Sequence, residues 1–251
     1  MDVPALVLLG LLLVRVSTLV VTTPILGGSF APPTVKIGLS LILVLVISPV
    51  VPVPAAITAG SLPLVAAREF LVGFALALSV RVMLAAAELG GYLVGFQLGF
   101  SYAGIVDPQS GVRNNVLASL YSSITALALI GTNAHHMVIR ALVQSYEFIP
   151  LGPGAVHESI VGTITRMLGM IFYVGAQLAA PVTIVLVVVE VMLGIVSRAA
   201  PSLNLLAVGA PVRLILGLLT LVAAVQVVPN TMIPLVRRAL EAAVQLAAGL
   251  R

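Results

Sequence analysis

The chain has 251 residues, of which 61% are hydrophobic and only 8% charged, with 12 Lys and Arg against 8 Asp and Glu. A soluble domain carries about 25% charged residues, so this composition, with a mean hydropathy of +1.23, excludes a water-exposed globular surface. It describes one all-α, membrane-type unit over residues 1–251.

Cysteine is absent, which excludes disulfides, thiol catalysis and Cys-ligated metals. The basic residues are scattered, nearly all as single arginines, so no clustered face for nucleic acid exists. The chain starts Met-Asp-Val-Pro, an acid where a secretory leader needs basic residues, and reads as mature from its first residue. Ala5 to Val21 is apolar and just long enough to span a bilayer, with Arg15 in its middle. A guanidinium there is costly in lipid unless it faces protein or water. From Lys36 to Arg68 no charge occurs, yet Pro49, Pro52, Pro54 and Pro63 break the run into short pieces.

A long helix is predicted from about Leu64 to Val106, carrying Arg68, Glu69, Arg81 and Glu88. Arg81 and Glu88 are two turns apart and share a face, as do Gln97 and Ser101. The plain reading is that these groups pair with neighbours. A proton relay would need a more continuous row of acids. Small residues recur every four positions at Ala87, Gly91, Gly95, Gly99 and Ala103. Such a stripe lets a second backbone approach closely, which is how helices associate without water. A polar loop follows, comprising Asp107, Pro108, Gln109, Ser110, Gly111, Val112, Arg113, Asn114 and Asn115. Pro108 and Gly111 favour a turn there, and Asp107 or Asn115 can cap a helix.

Val116 to Thr132 is a further apolar helix, followed by Asn133-Ala134-His135-His136. Adjacent histidines point in different directions on a helix, and no partner at i+4 completes a metal set. Pro150, Gly152, Pro153 and Gly154 divide the chain. The second part opens with a helix from Val156 to Ser197, kinked or broken at Pro181. A polar elbow follows, with Arg198, Pro201 and Asn204, and then an apolar helix from Pro211 to Val228. The tail from Thr231 sets Val236, Leu240, Ala243, Val244 and Ala247 against Arg237, Arg238, Glu241 and Gln245. That pattern suits a helix lying in a membrane interface. Its arginines, with Arg251, predict a cytoplasmic C-terminus. No nucleophile elbow, phosphate loop, zinc-protease helix or dinucleotide fingerprint is present, so neither catalysis, nor a cofactor, nor a metal is expected. A secondary transporter is an alternative class; it predicts matched internal repeats, and the prolines are unevenly placed for that.

Several blocks together resemble the FliR/SctT family of the type III protein-export apparatus. They are R-V-S-T-L-V-V-T-T-P-I-L-G-G (Arg15 to Gly28), R-E-F-L-V-G-F-A-L-A-L (Arg68 to Leu78), and the stretch from Glu88 to Gly111. N-A-H-H (Asn133 to His136), S-Y-E-F-I-P-L-G (Ser145 to Gly152) and S-R-A-A-P-S-L-N-L-L-A-V-G-A-P (Ser197 to Pro211) complete the ordered set. Ala134 and Ser202 depart from residues common in the family, Gly and Gln. The form G-F-Q-L-G-F-S-Y-A (Gly95 to Ala103) followed by V-D-P-Q-S-G (Val106 to Gly111) resembles the flagellar branch more than the injectisome branch. The resemblance implies a structural gate subunit joined to FliP and FliQ, wrapped by FlhB on the cytoplasmic side. Unfolded flagellar substrates would pass through this gate in the bacterial inner membrane, within the flagellar basal body and surrounding lipid. It implies a FliP-like part over residues 1–152 and a FliQ-like part over 153–251. It also implies that the loop Asp107 to Asn115 is a plug that closes the pore at rest.

Overall fold

The structure is a computed structural model and describes residues 3–24, 31–51, 60–100, 115–152, 159–200 and 205–248. Those residues form eight helices: α1 (Val3–Thr22), α2 (Pro33–Ile47), α3 (Leu62–Gln97), α4 (Val116–Gly131), α5 (Ala134–Phe148), α6 (Ser159–Ala199), α7 (Leu205–Ala224) and α8 (Val227–Ala248). Three of them (α1, α3 and α6) are long and apolar enough to cross a membrane. The α4–α5 pair makes a fourth candidate, bent by 69°. The bend falls at Asn133, whose φ of 57° is left-handed, a conformation that asparagine tolerates better than most residues. The chain is an all-α protein of membrane type.

Two compact units are drawn from separated stretches of sequence. Unit 1 comprises Met1–Met83, Leu129–Gly169 and Ile233–Arg251, and unit 2 comprises Leu84–Ala128 and Met170–Met232. A cut at residue 152 therefore does not coincide with the compact units, since unit 1 takes segments from both sides of it.

In unit 1, α1 packs on α2 and buries Leu12, Val16, Leu19 and Val20 completely. Helix α8 buries Leu235, Val236, Ala239, Leu240 and Ala243 and exposes Arg237, Arg238, Glu241 and Gln245. The predicted amphipathic pattern is present, but its apolar face is used inside the chain, because Val236 and Leu240 close on Val80, Met83 and Leu129. The reading of this helix as one that offers that face to a membrane interface is thereby corrected.

Unit 2 takes the C-terminal part of α3, most of α4, most of α6 and all of α7. Two prolines are tolerated inside these helices, Pro181 in α6 and Pro211 in α7. Of the kink or break expected at Pro181, a break does not occur, since α6 continues through it, and Pro211 sits two turns inside α7 where a helix start was predicted. Proline removes one N–H and one ladder bond, a loss that a long helix packed on others survives. The span of α3 is 67% buried and that of α6 only 22%. Phe172, Tyr173, Val188, Met192 and Ile195 accordingly leave α6 with an exposed apolar flank.

The predicted helix to Val106 ends earlier, at Gln97. Gly99 takes a φ of 88°, its N–H donates to the Phe96 carbonyl at 3.2 Å, and the Phe100 N–H donates to the Gly95 carbonyl at 2.9 Å. This pair of bonds around a left-handed glycine is a Schellman C-cap. Gly99 is thus a helix stop and not a rung of the small-residue stripe.

Candidate functional site

Two constellations stand out, one in each unit. In unit 1, Gly73 lacks the Cβ that would meet the Arg15 carbonyl oxygen at 2.5 Å and the Thr18 Cβ at 3.1 Å. That absence lets the backbone of α3 press on α1, one turn beyond Glu69. Arg15 and Glu69 are both wholly buried, and the Arg15 Nε–H donates to Glu69 Oε2 at 2.5 Å. Arg15 Nη1 donates to Ser145 Oγ at 3.0 Å and Nη2 to the Ile149 carbonyl at 3.1 Å. The guanidinium carbon lies 4.1 Å from the centre of the Tyr146 ring, well inside the range of a cation–π contact. Arg68, the next residue back on α3, donates to the carbonyls of Pro150 and Gly152 at 3.1 and 2.5 Å.

A buried ion is tolerated only when it is paired and its remaining donors are bonded. Arg15 meets both conditions with groups 54, 130 and 134 residues away. The expense that the sequence predicts for a mid-helix arginine is met by protein and not by lipid. Arg15 and Arg68 between them hold three carbonyls of the segment leaving α5. Among the described residues, Glu69 Oε1 and the Tyr146 hydroxyl remain without a hydrogen-bond partner.

In unit 2 the contact surface is made of absent side chains. A Cβ on Gly91 would collide with the Leu117 carbonyl oxygen and lie 2.7 Å from the Ala118 Cα, and one on Gly95 would strike the Asn115 amide. The first turn of α4 is seated there. Asn115 Oδ1 accepts from the Leu117 and Ala118 N–H groups at 3.0 and 3.3 Å, and its Nδ2 donates to the Tyr92 carbonyl at 3.3 Å. One side chain therefore caps α4 and ties it to α3. Across the other side, Gly90 faces Leu178 and the Gly175 carbonyl, while Gly175 faces Leu89 and the Ala86 carbonyl. This reciprocal glycine crossing of α3 and α6 is completed by Gln97 Nε2 donating to Thr183 Oγ1 at 3.0 Å. Gly90 and Gly175 were not singled out by four-residue spacing. Each lies off the stripe, and only the crossing reveals them.

Of the predicted site residues, Ala87, Gly91 and Gly95 lie buried on α3. Ala103 and the loop from Asp107 to Asn114 lie outside the described residues, as do Ser101, Pro201, Asn204 and Arg251. Arg198 is exposed in the last turn of α6, where a cation complements the negative end of the helix dipole. Arg81 and Glu88 each have a partner of their own within their units: Arg81 Nε donates to the Thr22 carbonyl at 2.9 Å, and Glu88 accepts from Ser122 Oγ at 3.2 Å. The rings of His135 and His136 lie with centres 4.2 Å apart and planes tilted by 48°. No cluster of three or more metal-ligating side chains occurs among the described residues.

The sequence profile of the family described as bacterial export proteins, family 1, matches residues 6–239. The chain belongs to this family. It is 29% identical over 222 residues to the flagellar biosynthetic protein FliR of Bacillus subtilis strain 168, covering 87% of this chain and 86% of that one. It is 30% identical over 213 residues to the protein of the same name from Escherichia coli K12, covering 82% and 79%. The surface presentation of antigens protein SpaR of Shigella sonnei is 26% identical over 151 residues, covering 60% and 58%. For this member of the bacterial export family, both constellations lie within the matched residues. The Arg15, Arg68 and Glu69 cluster lies in the first half of the match, and the glycine crossing spans its middle.

Proposed function

We propose that the chain is a structural, non-catalytic subunit of a flagellar type III protein-export gate, forming part of the pore through which unfolded substrates cross the inner membrane. The family match over residues 6–239 carries this reading, and three membrane-length helices with one broken pair support it. In this reading the subunit assembles with FliP and FliQ in the basal body, with FlhB on the cytoplasmic side and lipid at the periphery. Residues 1–152 correspond to a FliP-like part and 153–251 to a FliQ-like part. The exposed apolar flank of α6 supplies surface for neighbouring subunits, and Arg237 and Arg238, exposed on α8, support a cytoplasmic C-terminus.

The loop from Asp107 to Asn115 closes the pore at rest. Asn115 supports that role by tying the downstream end of the loop to α3 and to the first turn of α4. Deleting the gene should abolish secretion of rod, hook and filament proteins, and restoring it in trans should recover that secretion. Intact secretion without the gene would overturn the export reading. Shortening the loop within Gln109 to Asn114 should make the resting, assembled gate leak ions, and unchanged conductance would remove the plug role. Co-expression with FliP and FliQ, followed by native mass of the purified complex, tests the partners. The second reading, an injectisome gate subunit, is favoured by the similarity to SpaR and predicts needle and effector secretion instead.

A further inference from the structure

In unit 1 the packed pair α1 and α2 leaves a groove lined by Leu13, Ser17 and Val21 on α1 and by Pro33, Lys36 and Leu41 on α2. Its volume is ≈ 420 Å³, within the about 300–1,000 Å³ of small-molecule sites. Leu13 to Val21 on one wall and Pro33 to Leu41 on the other make it about 12 Å long, at the helical rise of 1.5 Å per residue. Its mean cross-section is then about 35 Å², less than half of the about 80 Å² that a helix 10 Å wide occupies. A single extended chain fits along it, and a helix does not.

The groove is polarised along its length. Where α1 crosses a bilayer, its end at Thr22 lies at one surface. The residues from Thr23 to Pro32 are too few for a second helical crossing, which takes about 20, so α2 starts from that same surface. Val21 and Pro33 therefore mark the headgroup end of the groove, and Leu13 and Leu41 the end toward the bilayer centre. Lys36 stands in the first turn of α2, and a helical side chain leans toward the N-terminus of its own helix, which carries the ammonium to the headgroup end. The helix gains nothing from a lysine there, because the positive end of its dipole favours anions. Lys36 is the sole lysine of the chain, and no acid occurs between Asp2 and Glu69 to serve as its neighbour in sequence. Among the described residues it makes no ion pair. The two serines leave the wall effectively apolar, since Ser17 Oγ donates to the Val14 carbonyl at 3.3 Å and Ser40 Oγ to the Lys36 carbonyl at 2.8 Å.

We propose that this groove binds one anionic phospholipid, its phosphate against Lys36 and one acyl chain lying along Ile37 and Leu41 toward Leu13. A cation at the surface end of an apolar slot one chain wide is the complement of that molecule, and a basic pocket between membrane helices is a known form of headgroup site. The lipid would fill the outer seam of α1 and α2 and fix their depth in the bilayer, whatever passes through the assembly.

The deciding experiment is native mass spectrometry of the full chain, in the complex in which it is purified, supplied with phosphatidylglycerol or phosphatidylcholine of identical acyl chains. The unsubstituted protein should retain phosphatidylglycerol about fivefold more strongly, and equal retention of the two lipids would overturn the proposal. Lys36→Gln should lose one bound phosphatidylglycerol per chain and hold phosphatidylcholine as before, while Lys36→Arg should keep both. If Lys36→Gln retains phosphatidylglycerol unchanged, the lysine only reaches for water and the site is disproved. Leu41→Trp, which narrows the slot and leaves Lys36 in place, should lose the same lipid, an effect that a bare surface cation would not give. Release of the lipid by inorganic phosphate would reveal an anion site without a chain, and a neighbouring subunit's side chains in the groove would assign it to protein; either result ends the proposal.

Discussion

Around Arg15 in unit 1, polar groups from distant parts of the chain converge on one guanidinium. Around Gly91 in unit 2, helices meet because nothing projects between their backbones. Both arrangements answer the same difficulty: in lipid, apolar surface supplies little force to bring helices together. A buried ion network is directional and selects a single geometry, but it fails badly when one member is lost. A glycine crossing gains many weak dispersion contacts and fails by wedging, in proportion to the size of what is inserted. The units also share a device, since Gly73 gives unit 1 the close approach that puts Glu69 beside Arg15.

The largest effect should come from breaking the charge network on one side. Glu69→Ala leaves Arg15 buried and unpaired, and the expected loss is about 3–5 kcal/mol, read as failure to recover the purified protein or its complex. Removing both charges, as Arg15→Met with Glu69→Leu, should recover much of that loss. If the double variant is no better than the single, the bonds to Ser145 and the Ile149 carbonyl carry the network and the ion pair is secondary. Next, Gly91→Ala places a methyl against the Leu117 carbonyl and the Ala118 Cα, which are backbone atoms with little freedom to move. A loss of about 1–3 kcal/mol is expected, measured as the thermal midpoint in detergent. An unchanged midpoint would show that this crossing is looser than the charge cluster it is set against.

Asn115→Ala should cost about 1 kcal/mol, by releasing the first turn of α4 from its cap. Gly194→Ala, on the exposed side of α6 with nothing within 4 Å, should instead stabilise the isolated chain by about 0.5–1 kcal/mol. The same variant, if it lowers recovery of the assembled complex, would locate a subunit contact on that flank and extend the glycine mechanism beyond this chain.

Much of this was legible beforehand. The helices follow from apolar run length, and the all-α membrane class follows from a composition that cannot clothe a soluble surface. Arg15 could be identified as needing a protein partner from its place in an apolar span. Gly91 and Gly95 could be picked out as contact positions from four-residue spacing. Three matters were decided only by the tertiary structure. Glycine serves equally as a packing notch or as a left-handed stop, so Gly99 could not be told from Gly95 until the chain turned at Gln97. An amphipathic face states that it will be covered without naming the cover, and α8 turned its own inward. The partner of Arg15 could be any of several acids by sequence. Glu69 is chosen because Gly73 admits α1 one turn away, a contact between segments that local pattern does not encode.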